Sequence, residues 1–284
     1  MARFLLYRLM QNLVLLVLVS MVGYGVLHLA PGGPLSQFAL TPGMTQAELA
    51  RLAEQMGLNR PLPVQYWDWF TRLLVGDWGE SFRDNQPVLA KVLTHLGPTL
   101  ELIVASTLIA VLLGSWIGIL GAIRRYSLFD YLATIGAMVA LSIPTFWFGL
   151  VVIYIFTLQL GILPSGNRIT VGDGSFLDWL HHLIAPALVL SLVTVAIWSR
   201  YMRSSMMEVV NQDYIRTARA KGAPERVVLI RHAVRNAMLP MISVLAVQLP
   251  TLLSGALVTE TVFTWPGLGR LFIDSLGYRD YPVV

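Results

Sequence analysis

The chain has no cysteine among its 284 residues, which excludes a disulfide, a thiolate metal site and a cysteine nucleophile. Histidine is scarce: His28, His95, His181, His182 and His232 are the five, and no two have the four-residue helical spacing of a zinc pair. No metal centre is expected, and the His181-His182 doublet reads as an interfacial pair in a short loop ahead of an apolar run. The phosphate-binding pattern GxxxxGKS/T is absent, and neither Lys91 nor Lys221 follows a glycine. The nucleophile elbow G-x-S-x-G is missing too, and no serine has an evident histidine partner, which argues against an intramembrane serine protease. Charge itself is sparse, at 13% of residues against 56% hydrophobic. With a mean hydropathy of +0.66, the composition is that of a membrane protein.

What is abundant is long apolar sequence. A helix needs about 20 residues to cross a bilayer, and five stretches meet this: roughly 9–30, 99–123, 131–160, 183–202 and 238–262. The first follows Arg3 and Arg8, but it is longer than a signal-peptide core and no A-x-A-like site follows it, so it reads as an uncleaved span. Cytoplasmic loops retain Lys and Arg. With the N-terminus inside, that face collects twelve of the twenty basic residues and only four acids, Asp130, Glu208, Asp213 and Glu225. The fold class expected is all-α, a polytopic transmembrane helical bundle with a cytoplasmic N-terminus and a single domain over 1–284. Five spans would leave the C-terminus outside.

Residues 31–97 read as an organised outer loop with surface helices. Thr45 and Glu48 form a capping box, Leu49, Leu52, Ala53 and Met56 keep helical spacing, and Gly57 supplies the stop. The run VQYWDWFTRLLVGDWG is dense in rings that favour the headgroup layer, so a helix along the outer membrane surface is expected; a small soluble cap with an aromatic core is the alternative. A further short helix near 87–96 leads to Pro98 and the second span.

Within the spans, Gly114, Gly118 and Gly121 suit close helix packing. Pro144 in SIPTFWFG should bend or break the third span, either shaping a pathway or as ordinary span proline. The fifth span starts at Pro240 and is interrupted by Pro250. There Gln248, Thr251, Gly255 and Thr259 share one helix face, a weakly polar stripe suited to lining a path or to interhelical hydrogen bonding. Glu101 and Glu260 are the ionisable groups near membrane depth, both at outer span ends where water is expected to reach them. No charged midplane site and no related halves with paired broken helices are found, which disfavours an ion-coupled secondary transporter.

The most structured feature is the basic segment DYIRTARAKGAPERVVLIRHAVRNAMLP, residues 213–240, most of it in the cytoplasmic loop 203–238. Asp213 is read as the N-cap of a helix Tyr214–Lys221, Gly222 as its left-handed stop, and Pro224 as the first position of a second, amphipathic helix with Glu225 on its dipole. Attraction to anionic lipid accounts for the charge. A capped helix with its own stop points further, to docking of a cytoplasmic partner; the amphipathic part would lie against the inner membrane face.

DYIRTARAKG followed by RHAVRNAMLP resembles the EAA loop of ABC transporter permeases, specifically the dipeptide, oligopeptide and nickel branch. Arg216, Thr217 and Ala218 occupy the E-A-A positions, Gly222 the glycine, and Leu239-Pro240 the closing pair. The first two positions and the longer gap to Pro240 depart from the general pattern in the manner of the peptide-type branch. RPLPVQYWDWF with GDWGESF, LGILPSG, and TVFTWPGLGRLFIDSLGYRDYPVV are similar to other parts of that branch, in the same order. One feature departs: members of the branch continue after the RDYPV stretch into another, sixth membrane helix.

The resemblance implies a multi-pass permease subunit of an importer in a bacterial or archaeal cytoplasmic membrane. It would pair with a second homologous permease, sit on two ATPase subunits and receive substrate from an extracytoplasmic binding protein. The residues Asp213, Tyr214, Arg216, Thr217, Ala218, Arg219, Ala220, Lys221 and Gly222 would form the coupling segment that docks on the ATPase. The chain itself would bind no cofactor, ATP and magnesium belonging to the partners; membrane lipid is its other partner and nucleic acid is not one. Pro144, Gln248, Thr251, Gly255 and Thr259 are the candidate path-lining residues. Dipeptides, oligopeptides, glutathione and nickel complexes all remain open as cargo.

Overall fold

The computed structural model describes residues 1–29, 35, 44–55 and 57–284; the Met56 expectation and residues 31–34 and 36–43 of the outer loop lie outside these. The chain forms two compact units, Met1–Leu93 with Phe272–Val284, and Thr94–Leu271.

In the first unit, α1 (Ala2–Leu29) is a single apolar helix. Thr45 caps α2 (Gln46–Gln55) by the expected box: its N–H donates to Glu48 Oε2 at 2.8 Å while Glu48 N–H donates to Thr45 Oγ1 at 3.3 Å. The aromatic run forms α3 (Leu62–Leu74), with Pro61 at the N-cap and Pro63 in the first turn, where a missing N–H costs no helix bond. Its rings divide. Tyr66 is buried and shares a hydrogen bond with Ser20 of α1 at 2.9 Å, and Tyr24 meets it edge-on, whereas Trp67 is exposed. Thus the aromatic helix packs on α1 through one face. The following loop is fastened to the chain's last residues: Asp280 accepts from Ser81 Oγ at 2.5 Å and Phe82 N at 2.8 Å, and Arg83 lies over the Tyr278 ring.

The second unit is the helical bundle. A separate helix at 87–96 does not form; α4 (Val88–Ile123) runs through Pro98 as one helix of 36 residues. Proline removes only its own N–H, and Pro98's carbonyl accepts from Trp265 Nε1 at 2.9 Å. The third span is broken as expected, into α5 (Leu128–Ser142) and α6 (Thr145–Val152), the latter continuing as a π-helical stretch Ile153–Gln159. Ile143, the residue before Pro144, is pushed to extended backbone at φ −86°, ψ 126°, and the two arms meet at 105°.

The fourth span, α7 (Phe176–Val210), is 35 residues long, well beyond 183–202, and takes the His181-His182 pair into its first turns in place of a loop. After α8 (Asp213–Ala220) come α9 (Glu225–Val227), a π-helical stretch Val228–Val234 and α10 (Arg235–Ala237), so the expected amphipathic helix is not a continuous α-helix, and Pro224 is its N-cap, not its first residue. Finally α11 (Leu239–Val262) passes through Pro250 without the expected interruption, and α12 (Leu268–Gly277) follows.

Among the described residues four helices, α1, α4, α7 and α11, are long and apolar enough to cross a membrane, and a fifth span arises if α5 and α6 count as one. The bundle closes on α7, which carries fifteen buried residues. Glycines allow α4 to approach it: a Cβ at Gly114 would lie 2.9 Å from Trp198 Cδ1, and one at Gly118 would lie 2.6 Å from the Ser199 carbonyl.

Candidate functional site

The short helix α8 buries one side chain fully, with Ala218 packed beside it. Ile215 is wholly buried among Met202 and Met206 of α7, Val228, Ala233, Ala237 and Met241, while Asp213, Tyr214, Arg216, Thr217, Arg219, Ala220 and Lys221 are exposed and Ala218 is partly covered. Asp213 does not cap the helix. Gln212 holds that position without a side-chain bond, and Asp213 is the first helical residue, where its charge still favours the helix dipole and faces Arg216 Nη1 at 3.5 Å.

The stop is as expected. Gly222 has φ +78°, its N–H donates to the Arg219 carbonyl at 2.9 Å, and Ala223 N–H reaches back to Ala218 O at 3.2 Å. These two bonds are a Schellman closure, which needs a left-handed residue at that position. Arg219 crosses the turn to grip Glu225 with both branches, Nε at 3.1 Å and Nη2 at 2.8 Å. The guanidinium holds the Glu225 carboxyl below its ordinary range. Arg219 is therefore engaged within the chain, which leaves Tyr214, Arg216 and Lys221 as the projecting groups. The amphipathic part behind the turn buries Val228, Ala233 and Ala237 against α7, and Ser205 Oγ of α7 donates to Ala237 O at 2.9 Å. These three side chains are thus covered by protein, while Val227 and Ile230 on the same segment remain exposed.

The path candidates are dispersed. Pro144 is exposed at the corner between α5 and α6; on α11, Gln248 is half-buried, Thr251 exposed and Thr259 buried, while the surroundings of Gly255 lie outside the described residues. Past Thr259, Glu260 corrects the expected water access: it is 0% exposed. Its carboxylate accepts from Thr99 Oγ1 at 2.6 Å and from Arg270 N at 3.0 Å, and Thr99 in turn accepts from Leu268 N at 2.7 Å. The glycines of PGLG make this possible, since a Cβ at Gly267 would overlap the Glu260 carboxylate and one at Gly269 would overlap Leu257. Glu101, in contrast, is half-buried and takes a two-branched bond from Arg168, at 2.9 and 2.7 Å, and one from Trp179 at 3.0 Å.

Sequence reasoning also missed the tie between Asp130 and Arg203, residues 73 apart, with Nε–Oδ1 at 2.6 Å and Nη2–Oδ2 at 2.7 Å. Its one sequence signal is Gly121, whose missing side chain leaves room for both groups: a Cβ there would lie 3.2 Å from Asp130 Oδ1 and 3.5 Å from Arg203 Cδ.

Residues 110–284 match the family described as binding-protein-dependent transport system inner membrane component, and residues 1–103 match the N-terminal family of the same membrane components. The chain belongs to this family. This permease is 40% identical over 286 residues to the oligopeptide transport system permease protein AppB of Bacillus subtilis (strain 168), covering 100% of this chain and 90% of that one. It is 37% identical to the dipeptide transport system permease protein DppB of Escherichia coli (strain K12) and 39% identical to the glutathione transport system permease protein GsiC of Salmonella typhimurium, each with 100% and 90% coverage. A crystal structure of an amino acid ABC transporter with histidines shares its fold at a TM-score of 0.51 and 18% identity, over 69% of this permease and 83% of that chain. Membership makes the permease a multi-pass component of the inner membrane.

Proposed function

We infer that this permease is half of the path of an ATP-driven importer for dipeptides or oligopeptides, paired with a second homologous permease. The observation that carries the reading is α8: a short helix with a dedicated stop, one buried anchor and every other side chain turned outward apart from the partly covered Ala218. Most side chains of such a helix are free to meet another protein, in the manner of a helix laid in a groove. Tyr214, Arg216 and Lys221 would meet a groove on one ATPase subunit, and ATP with magnesium would be held by the ATPases, not by this chain. The basic loops then face the cytoplasm, and substrate arrives from an extracytoplasmic binding protein on the other side.

Peptide cargo is supported by the names of the relatives from Bacillus subtilis and Escherichia coli. Glutathione, itself a tripeptide, is the second reading, supported by the relative from Salmonella typhimurium. Pro144, Gln248, Thr251 and Gly255 would line this half of the path, whereas Thr259, expected to share that face, is buried in the bundle.

The test is co-purification of the ATPase subunits with membrane-inserted permease. Proline cannot adopt φ +78°, so Gly222→Pro should release the ATPases while insertion continues, as should reversal of charge at Arg216 with Arg219. Normal co-purification of both variants would overturn the docking role. Uptake that survives loss of ATP hydrolysis but collapses with the ion gradient would overturn the ATP-driven reading, and competition between labelled dipeptide and glutathione decides the cargo.

A further inference from the structure

The end of α7 that carries α8 is joined to α5 by a single charged tie. Arg203 grips Asp130 with both branches, and Asp130 is 3% exposed. The carboxylate also accepts from Tyr126 N at 3.0 Å, and Asp130 N–H donates to the Ser127 N-cap at 3.3 Å, so the same residue completes the start of α5. Among the described residues no other ion pair joins these two helices. Elsewhere these two helices pack in part through small side chains: Ala137 and Ala140 of α5 cluster with Ala196 of α7, with Leu192 beside them. A forked guanidinium on a buried carboxylate fixes register.

Arg203 is flanked in this half of α7 by the residues that hold α8. Met202 and Met206 share one buried cluster with Ile215 and with Val228 and Ala233 of the π-helical stretch. In the other direction, α5 ends at Ser142, at the 105° break before Pro144.

We propose that the Asp130–Arg203 pair is the link that makes α5 move with the α7–α8 unit, so that displacement of the docked helix reaches the corner at Pro144. This rests on α8 being the ATPase-docking segment. Asp130 and Arg203 are positioning residues that touch no substrate, and their loss uncouples hydrolysis from transport while leaving the complex assembled.

The experiment uses the complete transporter with its ATPases and binding protein in proteoliposomes. Asp130→Asn is compared with Arg203→Lys, which keeps the charge but lacks the fork, and with the double change Asp130→Asn and Arg203→Gln, which leaves no buried charge unpaired. In all three the ATPases co-purify at wild-type yield, hydrolysis continues, and substrate moved per ATP falls by about fivefold or more, the lower range of an allosteric coupling. Because the chain has no cysteine, spin labels at Leu132→Cys on α5 and Tyr201→Cys on α7, both exposed, report their separation directly. It stays single-valued with and without nucleotide in the otherwise unchanged protein and broadens in the double variant. A wild-type ratio of transport to hydrolysis with an unbroadened distance overturns the proposal, and so does loss of the ATPases from the purified complex, which would place the pair in assembly. Failure of the docking reading shows separately, as ATPases retained by Gly222→Pro.

Discussion

Truncating Ile215 to alanine removes the one fully buried side chain of α8. The side chain is 0% exposed and its socket is lined by Met202, Met206, Val228, Ala233, Ala237 and Met241. Removing such a group costs about 2–4 kcal/mol in lost burial and cavity formation. For most core positions that cost is spread over a cooperative unit. Here it falls on eight residues that cannot persist as a free helix, since isolated helices below about 12 residues are marginal in water. The penalty therefore appears as local opening, at about tenfold per 1.4 kcal/mol, or about 30- to 700-fold. Amide hydrogen exchange reads it at the N–H groups of Thr217, Lys221, Gly222 and Ala223, the last three of which bond within the helix and its stop. Amides in the body of α7 serve as the internal control. Tyr214→Ala, at an exposed position on the same helix, should change exchange by less than about threefold, as surface changes do. If Ile215→Ala leaves protection of 217–223 within about threefold of wild type, α8 is held by something other than its socket and the docking argument loses its premise.

Gly267→Ala should place a methyl group into the Glu260 carboxylate, lowering the stability of the bundle by about 1–3 kcal/mol in a thermal unfolding assay; an unchanged midpoint would mean the PGLG turn is free to shift. Glu225 has its pKa lowered by Arg219, so its contribution is present above the unfolded pKa and is lost as pH falls through the folded one. Acidification should then loosen the Gly222 turn, seen as exchange at Ala223 rising beyond its intrinsic pH dependence, and Glu225→Gln should abolish that excess. Single cysteines at Gln248 and Thr251 should react with a water-soluble maleimide in the assembled transporter while one at the buried Thr259 stays protected; protection at all three would remove α11 from the path.

What the sequence made legible was local. The Thr45–Glu48 box, the Gly222 stop and the Pro144 break each depend on residues within about four positions, and each appears in the structure. Even there a one-residue shift at Asp213 and Pro224 arose because Asp and Pro are also stable at the neighbouring cap positions. The buried carboxylates were illegible for a different reason. Glu260 finds Thr99 161 positions away and Asp130 finds Arg203 73 positions away; no periodicity encodes either meeting. The water expected around Glu260 is replaced by a hydroxyl and by backbone N–H groups at the start of α12, which only the fold of TWPGLGR brings within reach.

The prolines show how the bundle chooses where to bend. Pro98, Pro186 and Pro250 all lie inside helices that continue past them, although each removes a backbone hydrogen bond. At Pro98 the surrounding turn is stapled by Trp265 and by the Thr99–Glu260 bond. At Pro186 both neighbours, Ala185 and Ala187, are buried in the core of α7. Packing there holds the helix against the local defect. Pro144 has no such support: it and Ser142 are exposed, and Ile143 takes the extended backbone that a residue before proline prefers. The corner between α5 and α6 is therefore an exposed break in the third span, where the angle between its two arms is set. An element fixed to α7 at Asp130 and ending at that corner converts a shift at one end of the bundle into a change of angle at the other.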